Sequence, residues 1–212
     1  MHRMTPQVAA PPGILGHAAH VLQQRRAQRR RRRILMGTLR LVGRLHPDVT
    51  DVDLSMMRRA ISLARHAAMM GEVPVGAVVY RGSEIIAEAA NNRETTRDPV
   101  GHAELLAMSL AGQKLGTWRL NDCSLAVTLE PCPMCAGAMV NARLGRLIYG
   151  VTDPKAGACH TLFEIPTDRR LNHTVHMQGG VLADECRRLL QDFFRARRQQ
   201  NRSARQSAKA CC

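Results

Sequence analysis

His102, Glu104, Cys132 and Cys135 are the residues of this chain whose types and spacing could do chemistry. Cys132 and Cys135 stand three positions apart, close enough for two thiolates to bite one cation, and His102 adds an imidazole further up the chain. Zn²⁺ favours these ligand types, and a purely structural zinc site normally closes with four of them. Three ligands leave one position open, the arrangement of a catalytic centre in which a water is acidified to a pKa of about 7. Glu104 decides between the two. A carboxylate beside an activated water can take its proton and pass it on, whereas a structural site has no use for one. Residues two apart do not share a helix face, so His102 and Glu104 can converge on one ion only at a helix N-terminus.

Plainer readings compete with this one. A Cys-x-x-Cys pair also serves as a redox couple or as two buried thiols. Cys123 and Cys159 could supply a fourth ligand and close the site, but both lie outside the motif and read as small core or loop residues. Cys186, Cys211 and Cys212 read as incidental. The seven Cys are odd in number and lack secretory framework spacing, which points to a reducing compartment and to metal binding over disulfides.

The pattern around these residues predicts the elements that hold them. A helix is expected over roughly 54–70 with Asp53 as its N-cap and Gly71 as its stop. The run 75–80 reads as a buried strand, Gly82-Ser83 as a hairpin turn, and 85–89 as a second strand. A polar loop leads to a helix from His102 to about Ala111. Strands are expected at 125–129, 146–151 and 174–177, with a helix from Cys132 to Arg143. A long last helix is expected from Leu182 to about Gln199. Helices interleaved with strands indicate an α/β fold, with helices packed on a central sheet.

The formal charge of +14 is concentrated at the ends. Residues 1–47 hold ten Arg and no acid, and residues 195–212 hold five Arg, one Lys and no acid. Between them, fifteen basic residues face seventeen acidic ones. The body is nearly neutral, and basic tails suit a polyanion, nucleic acid first; solvated ends are the plain alternative. Three regions are expected: a basic Arg-rich extension over 1–50, one catalytic domain over 51–200, and a basic tail over 201–212. The extension reads as a genuine basic or organelle-targeting segment, or as sequence upstream of a start at Met56 or Met57. Every motif lies beyond residue 70, so its removal is expected to leave catalysis intact. No apolar run is long enough to span a bilayer, and a cytoplasmic location with no membrane partner is expected, organelle targeting aside.

The motif His-x-Glu followed by Pro-Cys-x-x-Cys is the signature of zinc nucleobase deaminases. Beyond it, the chain resembles the bacterial tRNA-specific adenosine deaminase family of the cytidine/deoxycytidylate deaminase superfamily, over about Met57 to Gln199. The resemblance is carried by Glu72 to Val78, by Asp98-Pro99 ahead of His102-Ala103-Glu104, and by Leu129 to Ala138. It continues in Thr152 to Ala158, Leu182 to Cys186, and Asp192-Phe193-Phe194-Arg195 with Arg197-Arg198. The first three blocks are shared with guanine and cytosine deaminases; the block at 152–158 and the basic Phe-Phe ending are closer to the tRNA enzymes.

The resemblance implies a three-layer α/β/α sandwich on a mixed five-stranded sheet. It implies one Zn²⁺ per subunit on His102, Cys132 and Cys135, with Glu104 as general acid and base. It implies hydrolytic deamination of adenosine to inosine at the wobble position of a tRNA anticodon stem-loop, foremost an arginine tRNA with anticodon ACG. Substrate contacts are implied for Asn91, Pro74, Val75 and Asp153, and RNA contacts for Phe193, Phe194 and Arg195, with Arg197 and Arg198 beside them. Asn91 also suits a turn, Asp153 an Asp-Pro turn, and the two Phe a helix core. Glu130 reads as a structural hydrogen-bonding residue. The resemblance also implies a homodimer. The alternatives are a free nucleobase deaminase acting on guanine or cytosine, and a non-enzymatic zinc or RNA-binding module.

Overall fold

The computed structural model describes residues 48–210. The basic extension assigned to 1–50 therefore lies outside the described residues except for its last three. The first helix, α1, spans Asp51–Met69. Its N-cap is Thr50, not Asp53: the Thr50 hydroxyl accepts from the Asp53 N–H, and the Asp53 carboxylate accepts from the Thr50 N–H. This capping box satisfies two orphan helix donors at once. It places Asp53 inside the helix, where its other oxygen takes the Tyr80 hydroxyl and Arg146. Gly71, with φ +80°, turns the chain after α1 as expected.

The sheet consists of β1 (Gly76–Arg81), β2 (Glu84–Ala90), β3 (Ser124–Leu129), β4 (Arg146–Val151) and β5 (His176–Gly179). Their order is β2-β1-β3-β4-β5. Strand β1 runs antiparallel to both β2 and β3, while β3, β4 and β5 are mutually parallel. The sheet is thus mixed and five-stranded, as expected. Between β2 and β3 lie a single turn, α2 (Arg93–Thr96), and α3 (Ala103–Leu115). The α2 turn falls inside the polar loop that the sequence leaves unstructured. Helix α3 runs past Gly112 and stops at Gly116, whose φ of +65° supplies the left-handed cap. Helix α4 (Pro133–Asn141) joins β3 to β4, and α5 (Ala183–Ala210) closes the chain.

Alternate residues of each strand feed two cores. Ala77, Val79, Leu125, Val127, Leu147 and Tyr149 face α3 and α4. Val78, Tyr80, Ala126 and Ile148 face α1 and α5. Helices on both faces of one sheet make the three-layer sandwich.

Two elements differ from the sequence expectation for identifiable reasons. The last strand lies two residues later than 174–177. Gly179 pairs with Tyr149 and lies against its ring, where a Cβ would come within 2.3 Å of a ring carbon. This glycine is a close-packing position, not a turn. The last helix starts at Ala183, because Leu182 has φ +52°. It then runs to Ala210, well past Gln199 and through the segment 201–210 expected as tail. No Gly or Pro interrupts residues 195–210, so no local signal ends the helix there.

Candidate metal centre and active site

The topology aims several chain segments at one edge of the sheet. Because β1 opposes both β2 and β3, the C-terminal ends of β2, β3 and β4 share that edge with the start of β1. Asn91 follows β2, Glu130 to Cys132 follow β3, Asp153 follows β4, and Pro74-Val75 precede β1. Ligands bind in open α/β sheets at this carboxyl edge. Backbone bonds knit the segments together. The Asn91 N–H donates to Val75 O at 2.9 Å, the Glu130 N–H to Val151 O at 2.8 Å, and the Asn92 N–H to Gly101 O at 3.1 Å, beside His102.

His102 is the N-cap of α3 and Cys132 the N-cap of α4, so both ligands stand where two helix dipoles present their positive ends. Glu104 lies in the first turn of α3 and is buried. His102 and Glu104 thus meet at a helix N-terminus, as their spacing requires. The His102 Nδ1 lies 3.7 Å from the Cys132 Sγ and 3.5 Å from the Cys135 Sγ, and the two sulfurs are 3.7 Å apart. A tetrahedral ion with bonds of about 2.3 Å to sulfur and about 2.0–2.1 Å to nitrogen needs separations close to these. The three residues also form a metal-capable group by proximity. The residues present therefore fit a zinc ion.

Protonation points the same way. The hydrogen bond between the two thiols holds the Cys132 thiol down at about 4, with His102 acting in the same direction. The same bond, with burial, pushes Cys135 up. The hydrogen bond to Cys132 raises His102. A divalent cation held by these thiols would displace their protons. Burial pushes the Glu104 carboxyl up, while its own backbone N–H and the neighbouring His102 pull it down. Cys159 and Cys123 are buried in the core and outside the ligand group, as expected.

Two buried carboxylates hold the flanks of this centre, and the sequence pointed to only one of them. Glu130 accepts the backbone N–H groups of Asp153 (3.0 Å), Cys159 (3.2 Å), His160 (2.8 Å) and Thr161 (2.9 Å), and the Thr161 hydroxyl. Gly157 packs on this carboxyl, and a Cβ there would sit 2.5 Å from it. The Asp153 carboxylate itself accepts from the Lys155 N–H in a turn. Glu72 is the one not singled out. It accepts the Asn91 side-chain amide at 3.0 Å, the Glu94 N–H at 3.2 Å, and both the N–H and the hydroxyl of Thr95 at 2.6 Å. Burial pushes Glu72 up, but these bonds outweigh it and hold the carboxyl below its usual range. An acidic residue between helix end and buried strand, in Gly71-Glu72-Val73-Pro74, was the available signal.

Asn91 is buried beside Val75, and Pro74 is buried next to it. Phe193, Phe194 and Arg195 lie on α5, and no described contact joins them to His102, Cys132 or Cys135. Phe193 is half-buried, Phe194 is 43% exposed, and their rings meet edge to face at 5.3 Å. Arg195 pairs with Asp192 on the surface. The helix reaches the site edge through Arg197, whose Nη1 donates to Gly71 O at 3.5 Å, one residue from Glu72. No described helix is long and apolar enough to cross a membrane.

Comparison with known proteins agrees with this geometry. The MafB19-like deaminase family profile matches residues 52–198. The tRNA-specific adenosine deaminase of Bacillus subtilis is 46% identical over 151 residues, covering 71% of this chain and 94% of that protein. That of Haemophilus influenzae is 41% identical over 154 residues, covering 72% and 89%. A structure from work on A-to-I editing by tRNA deaminases at the wobble position of transfer RNA superposes with a TM-score of 0.62 at 36% identity, covering 64% of this chain and 99% of that one. The guanine deaminase from Nitrosomonas europaea superposes with a TM-score of 0.59 at 22% identity, over 72% and 95%, a likeness of fold alone. The chain belongs to the MafB19-like deaminases and, within that fold, to the tRNA-specific adenosine deaminase family.

Proposed function

We propose that this protein deaminates adenosine to inosine at the wobble position of a tRNA anticodon loop, with an arginine tRNA of anticodon ACG as its foremost substrate. The buried Glu104 set beside a zinc-compatible His102, Cys132 and Cys135 group supports hydrolytic deamination, and the observation that carries the tRNA reading is the 46% identity over 151 residues to the tRNA-specific adenosine deaminase of Bacillus subtilis. Bound zinc supplies Lewis acidity that makes water a nucleophile near neutral pH. His102, Cys132 and Cys135 are the residues that would hold it.

The reaction consumes water. Its oxygen bonds to the purine carbon that bears the amine, the carbon–nitrogen bond breaks, and ammonia leaves. Glu104 takes a proton from the water and delivers it to the ring nitrogen, then carries a second to the departing amine. Its burial suits this work, because a desolvated carboxylate binds a proton more readily than one in water. Asn91, with its amide N–H turned to Glu72, leaves its carbonyl oxygen as an acceptor for the base. Pro74 and Val75 supply an apolar wall, and Asp153 borders the entrance. Phe194 and Arg195 offer stacking and phosphate contacts on α5. An anticodon loop already presents unstacked bases, so extruding one costs less than in a duplex. The enzyme works as a homodimer in the cytoplasm in this reading.

The test is conversion of that arginine tRNA by the zinc-loaded protein, with inosine read as G after reverse transcription. Wobble-specific conversion by wild type and none by Glu104→Gln is the expected result. An unedited tRNA together with deamination of free guanine or cytosine would replace this reading with nucleobase salvage. Unaltered function in Glu104→Gln would point to a non-enzymatic module.

A further inference from the structure

The single turn α2 is held more firmly than its own packing explains. None of its residues is buried, so it adds nothing to either core. Yet the buried Glu72 carboxylate accepts the Glu94 N–H, the Thr95 N–H and the Thr95 hydroxyl, all three from this turn. The Thr96 N–H and hydroxyl both donate to Asn92 O, at 2.9 and 2.8 Å. On the far side the Asp98 N–H donates to Arg93 O at 3.1 Å, and the Val100 N–H to the Asp98 carboxylate at 2.9 Å. Exposed backbone fixed from both ends holds a side chain in place for something outside the fold.

That side chain is Arg93. Its backbone packs on Gly101, where a Cβ would lie 3.3 Å from both the N and the Cα of Arg93. Gly101 directly precedes His102, and Asn91 stands two residues before Arg93. Arg93 is therefore rooted between a metal ligand and the residue assigned to the base. Its guanidinium is close enough to oppose the protonation of His102. The residue is exposed, and no described hydrogen bond or ion pair engages its side chain. Asp98 is turned to the Val100 N–H, and Glu72 to Asn91 and the turn.

A cation without a counter-ion at the mouth of the site has nothing to meet on a free purine. A nucleotide within a chain is different. When its base is extruded inward, the phosphates on either side of its ribose stay at the mouth. The planar guanidinium fork matches a phosphate with two parallel N–H donors.

We propose that Arg93 grips a phosphodiester next to the target adenosine and so makes the site selective for a nucleotide held in an RNA chain over a free base or nucleoside. The inference rests on the proposed tRNA substrate.

The experiment uses the zinc-loaded full chain and the anticodon stem-loop of the proposed arginine tRNA. Two further RNAs carry one uncharged methylphosphonate, 5′ or 3′ of the target adenosine. At one salt concentration kcat/KM is measured for wild type, Arg93→Gln and Arg58→Gln, the last removing an equal charge from the exposed face of α1. On unmodified RNA, Arg93→Gln is expected to lose about tenfold, the scale of one hydrogen bond to a charged group. Its melting temperature and zinc content should stay at wild-type values, and Arg58→Gln should edit like wild type. One methylphosphonate RNA is expected to slow wild type by a similar factor and to be edited equally by wild type and Arg93→Gln, because one contact is lost only once. Equal editing of unmodified RNA by wild type and Arg93→Gln overturns the proposal. So does a loss in Arg93→Gln that persists in full on both methylphosphonate RNAs, which would make Arg93 a support of the turn. Wild-type indifference to both modified linkages overturns it whatever the variant does. In each of these outcomes wild type still edits the stem-loop, so the substrate reading stands while the role of Arg93 falls. A stem-loop left unedited by wild type that deaminates free guanine or cytosine removes the substrate reading, and the role of Arg93 with it.

Discussion

The Glu130 carboxylate accepts the backbone N–H of His160 at 2.8 Å, linking the end of β3 to a loop thirty residues further along the chain. With Asp153, Cys159 and Thr161 also donating to it, Glu130 replaces solvent for a whole segment of backbone beside the metal ligands. Glu130→Gln puts an amide among these donors and leaves some unpaired, at about 1–3 kcal/mol. The expected outcome is a lower melting temperature and faster amide exchange at residues 157–161. Metal content should stay near wild type, because no ligand is touched. Unchanged exchange in this loop would show that Glu130 does not hold it.

Removing a ligand should act first on the metal. Cys135→Ser is expected to purify with little zinc and to fold into the same sandwich, since the sulfur pair contributes little to the core beyond its volume. Elemental analysis against circular dichroism separates the two effects. Chelation of wild type should abolish deamination, and added Zn²⁺ should restore it.

Glu104→Gln is expected to keep zinc and lose turnover by a factor of about 10² or more, the usual scale for general acid–base catalysis. Metal content and single-turnover rate, measured on the same preparation, check this. A variant retaining more than about a tenth of the rate would remove Glu104 from the proton path.

Asn91→Ala distinguishes a substrate contact from a turn residue. If Asn91 binds the base, kcat/KM falls by about 10–100-fold, worth about 1.4–2.7 kcal/mol, with little change in melting temperature. Glu72→Gln should reproduce part of that loss by freeing the Asn91 amide. A large stability loss with kcat/KM preserved would make both residues structural.

Asp53 gives a pH dependence of stability. Burial raises its carboxyl, but the Thr50 N–H, Tyr80 and Arg146 together hold it below its usual value of 3.8. A lowered folded-state pKa means stability that is present above pH ~4 and lost as pH falls through the folded pKa. Asp53→Asn lacks this contribution. The gap in melting temperature between wild type and variant should therefore be wide at pH 7 and narrow below pH ~4. Asp53→Ala should cost toward the lower end of about 3–5 kcal/mol, because Arg146 is 22% exposed and partly solvated.

The sequence by itself determined the family and most of the elements. His102, Glu104, Cys132 and Cys135 were legible as a candidate site because metal ligation and proton transfer demand particular atoms at short spacings. Strand β4 was legible to the residue and α1 to within three, because alternation and helical periodicity are local. Only the tertiary structure decided what Glu72 does and which groups Glu130, legible as a hydrogen-bonding residue, collects. Their partners lie nineteen to thirty-one residues away, and a carboxylate that collects backbone N–H groups leaves no pattern in the sequence around it. Asp53 was placed at the right helix end and given the wrong task, since both it and Thr50 suit an N-cap and only the fold brings Tyr80 and Arg146 to Asp53. The early end assigned to α5 has the same origin. Residues 199–210 carry no apolar stripe from which to read a period, and the backbone stays helical because nothing in it breaks the helix.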